Sequence, residues 1–105
     1  MEYLKVAAVN EIPPGKAKRV DIQGRTIALF NVDGNFYAVD DECSHRGGSL
    51  SEGELIGREV TCILHGACFD VTTGVVLGPP ADRDIATYPV RVRGEDVEVA
   101  VGNGS

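Results

Sequence analysis

The chain has no tryptophan, two histidines and three cysteines among its 105 residues. Long apolar runs are missing: nothing approaches the ~20 consecutive residues a membrane helix needs. No charged start with an apolar block marks a secretory leader, and no arginine pair opens the chain. Basic residues are scarce as well. Lys and Arg total 10 against 16 Asp and Glu, a formal charge of −6. That is the wrong sign for a nucleic-acid-binding face, and it suits docking onto basic protein surfaces. Three cysteines cannot all pair within one chain. With no export signal, the expected compartment is a reducing cytoplasm. The expected partners therefore exclude nucleic acid and membrane, and the length fits one domain.

Helical periodicity is also absent: no apolar stripe runs longer than about two turns. Thirteen glycines and five prolines break the chain every few residues. The dominant period is two. Arg25–Val32 reads as a strand, Asp33-Gly34-Asn35 as a turn and Phe36–Val39 as the returning strand. Val90, Val92, Val97, Val99 and Val101 alternate with Arg91, Arg93 and Glu98 around Gly94-Glu95-Asp96. This predicts a second hairpin whose valine face is core. Shorter strands are expected at 3–7, 18–22, 58–61, 67–71 and 75–77, with a turn at Thr72-Thr73-Gly74. The fold class is all-β and antiparallel. One stretch breaks the rhythm: residues 41–57 are polar and glycine-rich, and long loops of that kind are uncommon without a function.

That stretch opens on metal-ligand chemistry. Cys43-Ser44-His45 is C-x-H and Cys62-Ile63-Leu64-His65 is C-x-x-H, with sixteen residues between His45 and Cys62. Both histidines of the protein thus follow a cysteine within three positions, an arrangement chance rarely produces. Thiolate and imidazole together suit zinc, copper or an iron–sulfur cluster. A closed zinc site is the plainer reading, but such sites usually open with two cysteines two to four apart. Glycines follow both pairs, at Gly47-Gly48 and Gly66, where backbone N–H groups can approach a sulfur or an anion.

C-S-H, a spacer of sixteen and then C-I-L-H-G-A-C-F-D resembles a Rieske-type [2Fe–2S] ferredoxin. The likeness is greatest to the soluble ferredoxin component of bacterial aromatic-ring-hydroxylating dioxygenase systems. It extends to the hairpin before the first loop, the Gly78-Pro79-Pro80 loop and the closing T-Y-P-V-R-V strand. In that family two cysteines hold one iron and two histidines the other. The resemblance implies a Rieske iron–sulfur fold in a single domain, 1–105. An antiparallel β-sandwich base of residues 1–40 and 81–105 would carry a cluster-binding lobe of two loops at about 41–80. It implies one [2Fe–2S] cluster per chain, with Cys43 and Cys62 on the inner iron and His45 and His65 on the outer. It implies a soluble, monomeric one-electron carrier without catalytic residues, linking a flavoprotein reductase to a terminal oxygenase. The alternative is the Rieske-fold small subunit of a larger, nitrite reductase-like enzyme, although such subunits often lack ligands that this chain keeps. An autonomous oxygenase would need two further histidines and a carboxylate for a mononuclear iron. Nor is there a G-x-G-x-x-G segment for a dinucleotide.

Departures from the family pattern bear on the potential. High-potential members carry a disulfide across the cluster where this chain has Gly48 and Leu64. They carry hydroxyls where it has Ala67 and Phe69. Losing those donors withdraws stabilisation from the reduced cluster, placing the expected potential at roughly −150 to 0 mV. Around the site, Cys68 is expected to be a small buried side chain rather than a redox-active thiol. Asp40-Asp41-Glu42 is either a docking patch or a solvated run. Arg46 either balances cluster charge, guides a partner or is solvated, and Pro79 and Pro80 would either shield the cluster from water or form a plain strand connection.

Overall fold

A computed structural model of the chain describes residues 2–42, 49–62, 66–78 and 84–101. Cys43, His45, Arg46, Gly48, Leu64, His65, Pro79 and Pro80 lie outside the described residues. Among the described residues the architecture is strands in three antiparallel sheets, plus two 3₁₀ turns at Val9–Glu11 and Leu50–Glu52. No helix among them is long and apolar enough to cross a membrane. The outer sheet has the order β1 (Glu2–Ala8), β11 (Asp96–Val101), β10 (Val90–Arg93). The central sheet runs β2 (Ala17–Ile22), β3 (Arg25–Val32), β4 (Asn35–Asp40), β9 (Thr87–Tyr88). The third runs β5 (Glu54–Ile56), β6 (Glu59–Thr61), β7 (Cys68–Asp70), β8 (Val76–Gly78).

The central sheet is covered on both faces, which accounts for an oddity of its sequence. Ile27, Ala28, Leu29 and Phe30 run without a polar interruption and are all fully buried. Ile27 and Leu29 pack with Ala38, Val97, Val99 and Val101 toward the outer sheet. Ala28 and Phe30 pack with Val39, Val60, Phe69 and Val71 toward the third sheet. A strand between two layers has no wet face, so its apolar residues need not alternate. Each large side chain buried this way contributes roughly 1.5–3 kcal/mol. Asn31, also buried, ties the base together: its amide N–H donates to the Ile12 carbonyl, and its oxygen accepts the Gly34 N–H, both at 2.7 Å.

Both expected hairpins form, at β3–β4 and β10–β11, and three details differ from the reading of the sequence. The valine stripe is only partly core. Val97, Val99 and Val101 are buried, but Val92 is 48% exposed. Val92 lies on β10, an edge strand of its sheet. The T-Y-P-V-R-V run is two strands, not one. Thr87 and Tyr88 pair with β4, whereas Val90 onward pairs with β11. Pro89 has no N–H for a ladder and marks the crossing between sheets; its carbonyl accepts the Ala100 N–H at 3.0 Å. The polar stretch after Asp41 is not loop throughout. Glu54–Ile56 forms β5, with Leu55 set opposite Val60.

The third sheet is closed by an acidic turn. Asp70, nearly buried, accepts hydrogen bonds from the Thr72 N–H (2.9 Å) and the Thr72 hydroxyl (2.6 Å). The Arg58 Nε lies 3.3 Å from its other oxygen. Burial pushes this carboxyl's pKa up, but the Thr72 hydrogen bonds and Arg58 together outweigh it and hold it below the ordinary range. A folded-state pKa that is depressed contributes stability above the unfolded value, near ~3.9, and loses it as pH falls through the lower folded value. Asp70→Asn is expected to cost about 1–2 kcal/mol at pH 7 and to flatten the acid limb of stability. Denaturant melts of both proteins from neutral pH into acid check this, and equal acid sensitivity would refute it.

Candidate metal centre

The two segments carrying the predicted ligands leave the sheets at tied roots. Glu42 and Ser49 form an antiparallel bridge, so the segment 43–48 departs and returns at one point. Asp41, just before it, is 3% exposed. Its carbonyl accepts the Leu50 N–H at 2.7 Å, and its carboxylate accepts the Ser49 hydroxyl (2.6 Å) and the Ser51 N–H (2.8 Å). Leu50 then buries completely at the start of its 3₁₀ turn.

The second root follows β6. The Cys62 N–H donates to the Ala67 carbonyl at 2.7 Å, and the Gly66 N–H donates back to the Cys62 carbonyl at 3.0 Å. The second bond closes an α-turn. Gly66 holds φ at +76°, a left-handed conformation that a side chain would strain.

The roots lie side by side. Leu50 from the first and Cys62 and Ala67 from the second belong to one buried cluster with Phe69 and Val60. The chain leaving the first root also presses on the strand entering the second. A Cβ on Gly53 would lie 2.2 Å from the Thr61 carbonyl oxygen, so only glycine fits this approach.

Of the four predicted ligands, Cys62 is the one the described residues include; Cys43, His45 and His65 lie outside them. Cys62 is a free thiol, 2% exposed in apolar surroundings, while Gly66 at the far end of the same turn is exposed. A bare thiolate there would be costly, whereas one bound to a cation is neutralised. A buried sulfur donor of this kind fits an iron–sulfur cluster. Ala67 and Phe69 are both fully buried in the cluster with Cys62.

Three neighbouring residues behave differently from expectation. Cys68 is half-buried rather than core: strand alternation turns Phe69 inward and Cys68 outward. Its Sγ lies 3.5 Å from both the Thr61 hydroxyl and the Gly66 carbonyl. The acidic run 40–42 is not a patch. Asp41 is a buried clamp, and Asp40 accepts a hydrogen bond from the Tyr88 hydroxyl. Burial first, and then that bond to Asp40, raise the Tyr88 pKa and keep the phenol a donor. Only Glu42 of the three is exposed. The roles of Ser49, Ser51 and Gly53 are not legible in the sequence, where Ser49 and Gly53 count only toward the polar, glycine-rich character of 41–57. The one available signal was the Ser-x-Ser spacing directly after the glycine pair.

The Gly53 contact yields a direct test. Gly53→Ala is expected to force the two roots apart at a cost of about 1–3 kcal/mol. Thermal melts and the visible absorbance of the purified protein check it. A variant with unchanged melting temperature and colour would overturn the role given to this contact.

Comparison with known proteins agrees with this geometry. The model of the Rieske [2Fe-2S] domain matches residues 2–89. The biphenyl dioxygenase ferredoxin subunit of Pseudomonas sp. (strain KKS102) is 44% identical over 100 residues, covering 94% of this chain and 92% of that protein. In a solved complex of reduced oxygenase and oxidized ferredoxin in carbazole 1,9a-dioxygenase, one chain superposes with a TM-score of 0.89. It is 37% identical, and the match covers 93% of this chain and 92% of that one. The ferredoxin of carbazole 1,9a-dioxygenase from Nocardioides aromaticivorans IC177 reaches a TM-score of 0.91 at 28% identity, covering 95% and 98%.

Proposed function

The chain belongs to the Rieske [2Fe–2S] domain family, and from that premise we propose that it carries single electrons from a flavin-dependent reductase to a terminal ring-hydroxylating oxygenase. It is an electron-transfer ferredoxin rather than a catalytic oxygenase. The observation that carries the partner assignment is 44% identity to a dioxygenase ferredoxin subunit over 94% of this chain and 92% of that protein. A matching fold solved in a complex of oxygenase and ferredoxin supports it.

Cys43, His45, Cys62 and His65 would hold the cluster, which when bound supplies reversible one-electron reduction. The rest of the chain provides rigidity and access. The buried roots hold Cys62 in one position, so little needs to move when charge changes. The exposed end of the second turn at Gly66 offers a partner a short approach.

The potential belongs at the low end of the Rieske range, roughly −150 to 0 mV. The support is the side-chain chemistry beside Cys62: Ala67 and Phe69 are buried and bring no hydroxyl to the sulfurs. The free thiols of Cys62 and Cys68 suit a reducing compartment, for which we propose the cytoplasm, and we propose that the carrier works as a monomer.

Two measurements test this function. Electron paramagnetic resonance of the reduced protein is expected to show the spectrum of a cluster with mixed cysteine and histidine ligation, and His45→Ala or His65→Ala to abolish it. A four-cysteine spectrum would sink the ligand assignment. Potentiometric titration is expected to place the wild type in the low range, with Ala67→Ser raising its midpoint. A wild-type midpoint above about +150 mV would overturn the low-potential reading.

A further inference from the structure

Among the described residues, β1 is an edge of the outer sheet and β2 an edge of the central sheet. Between these two strands runs a groove of about 470 Å³, lined by residues 4–6 and 18–23. Its floor is apolar: Val20 and Ile22 are buried, and Leu4 and Val6 pack against the same cluster. Its border is cationic. Lys5, Lys18 and Arg19 are three of the ten Lys and Arg in a chain of net charge −6, and Asp21 is the one carboxylate in the lining. The carboxylates these cations meet stand outside the lining: Asp96 lies 3.2 Å from Lys5, Glu11 2.6 Å from Lys18 and Asp41 4.0 Å from Arg19. Lys5 and Arg19 nonetheless keep 58% and 59% of their side chains exposed, and pairs this open to water contribute little. Basic residues on an edge strand have a plainer use, which is to discourage pairing with another strand. That use requires neither an apolar floor nor a second edge across from the first.

We propose that the groove between β1 and β2 is a docking site for an extended acidic segment of a protein partner, added as a strand along the free edge of β2. A strand added to a sheet edge gains affinity from main-chain hydrogen bonds and specificity from its alternate side chains. The burial of β2 alternates in the same way, with Val20 and Ile22 buried and Arg19 and Asp21 exposed. A segment alternating apolar and acidic residues therefore sets its apolar side chains beside Val20 and Ile22 and its carboxylates toward the basic border. The six residues of β2 span about 20 Å, enough for several such alternations. The floor belongs to the cluster between the central and outer sheets, whereas Cys62 belongs to the cluster on the other face of the central sheet. A segment seated on the floor leaves Cys62 uncovered, so the groove can hold a partner without occupying that face.

The test uses the full-length holo-protein and three fluorescent peptides read by anisotropy. One alternates glutamate and valine, the second alternates lysine and valine, and the third is the first with its amides N-methylated. The expected result is saturable binding of the acidic peptide, at least tenfold weaker binding of the other two, and weakening by salt. Arg19→Gln and Lys18→Gln are each expected to weaken binding of the acidic peptide about threefold, and the double variant about tenfold. Arg93→Gln, which removes an exposed charge on β10, is expected to leave it unchanged. Absent binding, equal affinity for the lysine or the N-methylated peptide, or an equal loss in Arg93→Gln overturns the proposal. So does a concentration-dependent dimer in sedimentation, or retention on phosphatidylglycerol vesicles, that the double variant abolishes, since either gives the groove a different occupant. If the double variant does not accumulate folded, Arg19→Gln and the three peptides decide.

Discussion

The burial of the central sheet on both faces is the constraint on which the rest depends. Because the middle of β3, Ile27–Phe30, has no solvent side, layers must close over both of its faces. The outer sheet takes the face presented by Ile27 and Leu29. The third sheet, with Leu50 and Cys62, takes the face presented by Ala28 and Phe30. The segments proposed to carry the ligands are rooted in residues that fill this second layer, Leu50, Cys62 and Ala67.

Rooting matters because an electron carrier performs no bond chemistry of its own. Its usefulness lies in holding a redox centre still while charge changes and in presenting it to partners. The strands supply the stiffness: the Glu42–Ser49 bridge, the Cys62–Ala67 pairing and the Gly53–Thr61 approach each remove freedom at the loop bases. Potential is then adjusted by what surrounds the sulfur. Around Cys62 that surrounding is apolar.

Much of this was legible in the sequence. The paired C-x-H and C-x-x-H motifs name their chemistry without a fold, because few other roles require both histidines to follow cysteines so closely. The hairpins at 25–39 and 90–101 were readable from period-two patterns and turn residues. The valine stripe was readable only in part. Alternation reports which side chains share a face, not whether a neighbour covers that face, and Val92 lies on an edge strand. For the same reason Cys68 looked like core: its register against Thr61, rather than its polarity, turns it outward.

What the sequence determined by itself was the all-β class, the acidic balance and a candidate donor set, since each depends on residue type and near-neighbour spacing. What tertiary structure alone decided was partnership across distance. Asp41 reads as one of three acids in a row, and only the return of the chain at Ser49–Ser51 makes it a buried clamp. Gly53 reads as one glycine among thirteen, and only the approach of Thr61 makes it irreplaceable. Local pattern fixes what a residue can do. The long-range packing of β-sheets, whose partners are far apart in sequence, decides which of those capacities is used.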